Sequence, residues 1–322
     1  MGLSLPTCYA RQKPRAKVLI ADKVDKSLIE ILSSNNLAVD YKPELQTSEI
    51  INVLSKYDVL VIRGRHRIDK SFLNQAKSCG LRVIARAGVG LDNIDVEYAN
   101  KLGIKVINAP EGSTDSVAEL TIGLMIIVAR KLLEACNIVK KGLWRKIEGI
   151  ELRDKTLSII GLGRIGSRVA EVARALKMNV VAYDIADVSE KASRIGVRLV
   201  SNLHEALAIA DIISLHVPLT PESYHMISWN EFKIMKRGVI LINTSRGAVV
   251  DPQALLWALD EGIVAAAALD VLETEPPTTE VEIKLVNHPR VIVTPHIGAQ
   301  TREAQARIAK ILAMKILEVL EN

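Results

Sequence analysis

The sequence predicts an α/β protein built on doubly wound parallel sheets. Short β-branched runs alternate with longer amphipathic segments along the whole chain, and one of the runs passes through a glycine-rich turn straight into a helix. The runs form two sets. The first comprises residues 17–21, 59–62, 82–85 and 105–107. The second comprises residues 157–160, 180–183, 212–215, 239–242, 265–269 and 291–294. Continuous apolar runs of this length suit strands covered on both faces, and the second set alone supplies six, enough for a complete doubly wound sheet.

Between the two sets lies a helical stretch in which Ser116 and Glu119 have capping-box spacing and an apolar run continues toward Lys141. The last segment, residues 302–320, is again helical in pattern, with apolar residues at Ile308, Ile311, Leu312, Ile316 and Leu320. If this helix packs back on the first domain, that domain is discontinuous, which the pattern alone does not establish. No internal repeat or low-complexity segment interrupts the chain.

At 322 residues the chain can bury the cores of two medium domains, and its 49% hydrophobic and 25% charged content is ordinary for a globular enzyme. Only 3% is aromatic, so Ile, Val, Leu and Ala must fill those cores. Cys8, Cys79 and Cys136 lie far apart, without Cys-x-x-Cys spacing or a neighbouring histidine cluster, which argues against a disulfide framework or a bound metal and fits a reducing compartment. A formal charge of +5 with no basic run interleaved with aromatics gives no footprint for nucleic acid, and suits a protein whose ligands are anions. The longest apolar stretch, residues 120–129, is bounded by Glu119 and Arg130 and is too short to span a bilayer. The first fifteen residues carry Arg11, Lys13 and Arg15 but no signal-like apolar core; they read as a loose extension, and the location as cytoplasmic.

The glycine-rich turn is Gly161-Leu-Gly163-Arg-Ile-Gly166, directly after the run 157–160. The first glycine permits the tight turn, the second lets a pyrophosphate approach the backbone, and the third allows close helix–strand packing. The following helix offers free N–H groups to the phosphates. At the end of the next run stands Asp184, 18 residues beyond Gly166 (184 − 166). A carboxylate there accepts both ribose hydroxyls and repels a 2′-phosphate, so the larger domain reads as a Rossmann-type site for NAD rather than NADP.

Three further polar residues follow later strands of the same sheet: Arg246 after the run 239–242, Glu275 after 265–269 and His296 after 291–294. Ligand crevices form outside the carboxyl ends of such strands, so the three can converge. Alone, His296 reads equally as a capping or core residue, Glu275 as a solvated loop acid and Arg246 as an ion-pair partner. Beside a dinucleotide fingerprint they make a set for oxidising a secondary alcohol. An imidazole accepts the hydroxyl proton, a carboxylate fixes its tautomer and stabilises the imidazolium, and a guanidinium binds the substrate carboxylate and polarises the carbonyl oxygen.

With these residues placed, the chain resembles the D-2-hydroxyacid dehydrogenase family over nearly its full length. The matching pieces stand in order at residues 86–95, 116–119, 161–166 with Tyr183-Asp184, 216–218, 243–247, 270–276 and 295–298. The resemblance implies Arg246, Glu275 and His296 as the catalytic set. It implies cofactor contacts at Val89, Gly161, Gly163, Arg164, Ile165, Gly166, Asp184, His216, Val217, Pro218, Thr244, Ser245, Asp270 and Gly298. It implies substrate contacts at Arg63, Arg86, Val89, Gly90, Arg246 and His296, with backbone N–H groups around Val89 and Gly90 holding the substrate carboxylate. It further implies a discontinuous, flavodoxin-like substrate domain (1–108 plus 299–322), an NAD domain (109–298), and a homodimer built through the latter with the helix after Ser116 contributing.

Within the family, residues 86–93 and 298–305 look like the phosphoglycerate dehydrogenases, with Gln300 where a serine is usual. That subfamily places a phosphate-binding arginine at Arg63, in a stretch usually reading Arg-Ser-x-Thr-Lys-Val. Here it reads Arg63-Gly-Arg-His-Arg-Ile68, losing the hydroxyls but keeping positive charge at Arg65, His66 and Arg67. The implied substrate is a phosphorylated 2-hydroxy acid, D-3-phosphoglycerate, oxidised in the first step of serine biosynthesis. With no regulatory domain after residue 322, no inhibition by serine is expected. The segment 111–114 lacks an asparagine that many members carry. Two other readings fit the same residues: a glyoxylate or hydroxypyruvate reductase, and a non-catalytic NAD(H)-sensing binding protein.

Overall fold

The structure, a computed structural model, describes residues 14–321. Most of the N-terminal extension and Cys8 lie outside the described residues. The chain divides into two compact units: residues up to Gly112 together with those from Arg302 onward, and Ser113–Thr301. The reading from sequence set these divisions at 108/109 and 298/299.

The first unit holds an all-parallel five-stranded sheet of β1 (Ala16–Ile20), β2 (Leu37–Tyr41), β3 (Val59–Ile62), β4 (Val83–Arg86) and β5 (Lys105–Asn108), in the order β2-β1-β3-β4-β5. This is the flavodoxin-type order. Leu19, Leu60, Ile62 and Ile84 meet Ile50, Leu54, Phe72 and Leu73 from the crossover segments in one core. The sequence reading missed β2, because this edge strand buries only Leu37 and so lacks a continuous apolar run. The C-terminal helix Arg302–Glu321 belongs to this unit. A Cβ at Gly112 would lie 2.5 Å from Ile308 Cγ1, and Arg307 Nε donates to Gly112 O at 3.0 Å, while Lys315 Nζ donates to Asn108 O at 3.0 Å.

The second unit holds a seven-stranded parallel sheet: β6 (Thr156–Ile160), β7 (Asn179–Tyr183), β8 (Arg198–Leu199), β9 (Ile212–Leu215), β10 (Val239–Asn243), β11 (Val264–Leu269) and β12 (Val291–Val293). Its order is β12-β11-β10-β9-β6-β7-β8, the Rossmann arrangement with a seventh strand added at one edge. The two-residue β8, exposed at both positions, was invisible to an apolar-run search. Both faces are covered. Val239 and Leu241 of β10 enter one core with Phe232 and Leu255, while Ile240 and Ile242 enter the other with Leu157, Ile159, Val169 and Met125.

The helical stretch after Ser113 is two helices rather than one, Thr114–Ala129 and Leu132–Lys140, broken where Lys131 takes a left-handed φ of 50°. The returning chain explains the break. Ile150 N–H donates to Ala129 O at 2.8 Å, and Gly149 passes so close that a Cβ would sit 2.7 Å from that oxygen, so the first helix loses an acceptor it needs to continue. Ser116 does not cap. The N-cap is Ser113, and the Ser116 hydroxyl donates to Gly298 O at 2.6 Å instead. None of the described helices is long and apolar enough to cross a membrane.

Strand register sets the position of everything functional. Ile160, Leu215, Asn243, Leu269 and Val293 pair in one row across the sheet, with Tyr183 opposite Ile160. The residues one step further, Gly161, Asp184, His216, Thr244, Asp270 and Thr294, therefore form the carboxyl edge. His216 lies there with its Nε2 2.8 Å from Ser214 Oγ, and although part of the residue is accessible, burial holds its imidazole pKa down to about 3. Below its unfolded value near 6.5 the unfolded chain binds a proton that the folded chain refuses, so this residue makes stability fall as pH falls from about 6.5 toward 3. The slope is at most about 1.4 kcal/mol per pH unit. His216→Gln is expected to flatten the drop in urea midpoint between pH 6.5 and 4.5; identical pH slopes in both proteins would contradict it.

Candidate active site

The Gly161–Gly166 turn meets the requirements of a dinucleotide cradle. Gly161 has φ of 94°, and a Cβ on it would sit 2.6 Å from His216 O and 3.0 Å from Val217 Cγ1. At Gly166 a Cβ would be 2.1 Å from Gly161 O, so any side chain there would push the helix Arg164–Ala175 off the strand. Gly163 is different: nothing lies within 4 Å of its missing Cβ, and it is the N-cap of that helix with no side-chain cap. Open space in front of uncapped N–H groups is what a pyrophosphate needs. Arg164 and Ile165 occupy the first turn beside it, Arg164 exposed and Ile165 half-buried against the core. Asp184 directly follows β7, taking Leu162 N–H on Oδ2 at 2.7 Å and Ala186 N–H on Oδ1 at 2.9 Å. Each oxygen keeps a lone pair for a ribose hydroxyl. These residues fit NAD, with Val217 and Pro218 along the turn after β9.

At the other end of the edge, Asp270 holds the turn that carries His296. Its buried carboxylate accepts from Thr294 Oγ1 (2.6 Å), Ile297 N–H (2.8 Å) and Gly298 N–H (2.8 Å), and its backbone oxygen accepts His296 N–H at 2.9 Å. A Cβ on Gly298 would crowd Asp270 Oδ2 at 3.1 Å. The turn sets His296 at a left-handed φ of 53°, a conformation that a non-glycine residue keeps only under such constraint. Nδ1 of His296 lies 2.8 Å from Glu275 Oε2, and Glu275 Oε1 accepts Leu272 N–H at 3.1 Å. With a carboxylate as partner, Nδ1 carries the hydrogen, which leaves Nε2 with a free lone pair. The structure thus brings Glu275 and His296 into direct contact.

Arg246 stands beyond β10 in a turn shaped by Asn243. The Asn243 amide oxygen accepts from Ser245 N–H and Oγ (3.0 and 2.8 Å), and its Nδ2 donates to Arg246 O at 2.9 Å. Thr244 Oγ1 lies 2.9 Å from the buried Thr121 Oγ1 of helix Thr114–Ala129. A Cβ on Gly247 would lie 1.9 Å from Leu272 C, so the Arg246 turn rests directly on the loop that carries Glu275. Asn243 and Thr121 were not foreseen as site residues. The signal for Asn243 was its place on the carboxyl edge of a buried strand.

In the first unit, the loop after β3 is organised by Asp22, a buried acid just past β1. It takes Arg63 N–H on Oδ2 and Arg65 Nε on Oδ1, both at 2.5 Å. The other guanidinium contacts of Arg65 go to the carbonyls of Ala21, Pro43 and Leu45, and buried His66 pairs with Thr47 Oγ1 at 2.9 Å and Ala21 O at 3.2 Å. His66 is therefore an internal brace rather than part of a charged face for an anion, while Arg65, although tied to Asp22 and three carbonyls, keeps an exposed side chain. The Arg63 guanidinium donates from Nη1 to Lys23 O at 3.5 Å, and the Arg86 guanidinium lies 3.8 Å from a Cβ position at Gly64 and fills the space a side chain on Gly88 would need. Asn93 Nδ2 ties Arg63 O to His66 O (2.9 and 2.7 Å), and Asn108 Nδ2 holds Val89 O at 2.5 Å, next to Gly90.

Comparison with known proteins agrees with this geometry. Residues 122–298 match the family described as "D-isomer specific 2-hydroxyacid dehydrogenase, NAD binding domain". The chain is 44% identical over 308 residues to a D-3-phosphoglycerate dehydrogenase of Archaeoglobus fulgidus, covering 95% of this chain and 58% of that protein. It is 41% identical over 308 residues to a hydroxypyruvate reductase of Thermotoga maritima, covering 95% and 99%. The D-lactate dehydrogenase from Aquifex aeolicus, solved with NAD and lactic acid, superposes with a TM-score of 0.83 at 30% identity over 95% of each chain. The chain thus spans under two thirds of the phosphoglycerate dehydrogenase and nearly all of the reductase. On the matched domain, the parallel sheets and the fingerprint turn, this chain belongs to the D-isomer specific 2-hydroxyacid dehydrogenase family and carries its NAD-binding domain.

Proposed function

We propose that the protein oxidises D-3-phosphoglycerate to 3-phosphohydroxypyruvate with NAD, and that the contact between His296 and Glu275 carries the chemistry. His296 Nε2 takes the hydroxyl proton, and Glu275 holds the tautomer and stabilises the imidazolium. NAD, when bound, supplies the hydride acceptor. Gly163 and the helix N-terminus would hold its pyrophosphate and Asp184 its ribose, with Val217, Pro218, Thr244 and Ser245 along its path. Arg246 binds the substrate carboxylate and polarises the oxygen that becomes the carbonyl, with N–H groups at Val89 and Gly90 as further donors.

Arg63 and Arg86 would take the phosphate. The names of several relatives at 40–44% identity support this choice. A hydroxypyruvate reductase is the second reading, favoured by the match covering 99% of the Thermotoga protein and by the burial of His66 within the unit.

Comparison of 3-phosphohydroxypyruvate, hydroxypyruvate and glyoxylate in NADH oxidation separates the two. A kcat/KM preference of about tenfold for the phosphorylated acid, or about 1.4 kcal/mol of transition-state binding, that disappears in Arg63→Ala is expected. Equal or better rates with the unphosphorylated acids would make the protein a reductase. His296→Ala is expected to lower kcat by about 10³-fold while NADH binding, followed by fluorescence, persists; joint loss of both would leave the acid–base role without support.

A homodimer through the NAD domain is the assembly we propose. Leu132, Leu133, Val139, Leu143, Trp144 and Ile150 follow helix Thr114–Ala129 as an exposed apolar series, with Trp144 91% exposed. Trp144→Glu is expected to shift the sedimentation-equilibrium mass from two chains toward one; a single-chain mass for the unaltered protein would refute the dimer.

A further inference from the structure

We propose that Tyr224, His225 and Glu273 form a clamp that positions the Glu275 loop, so that these three residues, which make no part of the catalytic set, control how well Glu275 holds His296. The inference rests on the reading of Glu275 and His296 as the acid–base pair. Glu273 Oε2 lies 3.0 Å from His225 Nε2, and Tyr224 OH donates to Glu273 Oε1 at 3.1 Å. The two rings stack on each other with centroids 4.0 Å apart and 15° between planes, so they move as one body. On its other side His225 Nδ1 is 3.9 Å from Asp251 Oδ2, which also accepts from Ser228 Oγ at 3.1 Å.

The backbone of this segment is fastened to the Arg246 turn. His225 N–H donates to Ala248 O at 2.8 Å, Ile227 N–H to Val249 O at 3.1 Å, and Asp251 N–H to Ile227 O at 2.9 Å. His225 itself has a left-handed φ of 49°, which a non-glycine residue sustains only where surrounding contacts impose it. An ordinary surface ion pair needs no such backbone and no second ring.

Each of three successive residues before Glu275 has one anchor. Leu272 N–H binds Glu275 Oε1, the Glu273 side chain binds the two rings, and Thr274 N–H donates to the buried Glu282 Oε1 at 2.7 Å. Beneath them Gly247 touches the Leu272–Glu273 peptide. Glu273 is the anchor that side-chain substitution can release without disturbing a buried group, since its side chain is 29% exposed. Release lets Glu275 drift from Nδ1 of His296 while the cradle at Gly161–Gly166 stays as it is, so the loss falls on turnover and not on cofactor binding.

The test compares kcat and the KM for NADH in His225→Gly, Glu273→Ala, Tyr224→Phe and His225→Gln. Glycine suits the left-handed backbone at 225, so His225→Gly removes the ring without endangering the fold. His225→Gly and Glu273→Ala are expected to lower kcat about tenfold with the KM for NADH within twofold of the parent. His225→Gln, whose amide can still donate to Glu273, is expected to recover most of the loss, and Tyr224→Phe to show a smaller decrease. Unchanged kcat in His225→Gly and Glu273→Ala would overturn the clamp, as would a His225→Gln variant as impaired as His225→Gly. Glu275→Gln measured alongside separates the two levels. If it loses turnover while the clamp variants do not, only the clamp fails; if it keeps full turnover, the acid–base reading fails and the clamp with it.

Discussion

The carboxylate of Asp270 is the constraint on which the carboxyl edge of the sheet, where His296 meets Glu275, depends. A buried charge is costly unless its lone pairs are met by donors, and here Thr294, Ile297 and Gly298 supply three of them while Gly298 gives up a side chain to allow the approach. The same contacts bend the chain through the unusual backbone of His296 and aim its imidazole at Glu275. Without the carboxylate, two backbone N–H groups and a hydroxyl would lose their acceptor together, and the turn would have no reason to keep its shape. Asp270 was read from the sequence as a cofactor contact. Its geometry gives it a prior duty to the turn, with one lone pair of Oδ2 left for a ligand.

Both units use the same device. Asp22 stands just past β1, Asp184 just past β7 and Asp270 just past β11, and each accepts backbone N–H groups from a neighbouring loop. Parallel strands all end at one edge, where the backbone must turn away without partners from its own sheet. An acid in the first or second position beyond the strand gives those loops a fixed acceptor. Loops that must carry function on a rigid scaffold are thereby tied to the scaffold at its most ordered point.

How much of this was legible in advance depended on the range of the interaction. Buried strands announce themselves as apolar runs, so β6, β9 and β10 were visible, while β2 and β8, exposed along much of their length, were not. The fingerprint glycines, Glu275 and His296 could be placed because each follows a strand that the pattern reveals. Contacts between segments distant in sequence were hidden. Ser116 had the spacing of a cap yet serves Gly298, 182 residues away, and the break at Lys131 is imposed by the returning chain at Gly149 and Ile150. Charge was a poor guide to detail: the basic loop looked uniform, yet His66 is buried beside Asp22 while Arg65, bound to the same carboxylate, stays exposed.

The uncapped helix behind Gly163 has a thermodynamic consequence. A helix start without a capping side chain is an incomplete structure, and a pyrophosphate bound there would supply what the sequence withholds. Saturation of the site and persistence of the fold then become one linked equilibrium, in which dinucleotide at a hundred times its dissociation constant adds about 2.7 kcal/mol to the free energy of unfolding. A cell whose nucleotide pool collapses would lose not only the turnover of such a protein but part of its lifetime as well.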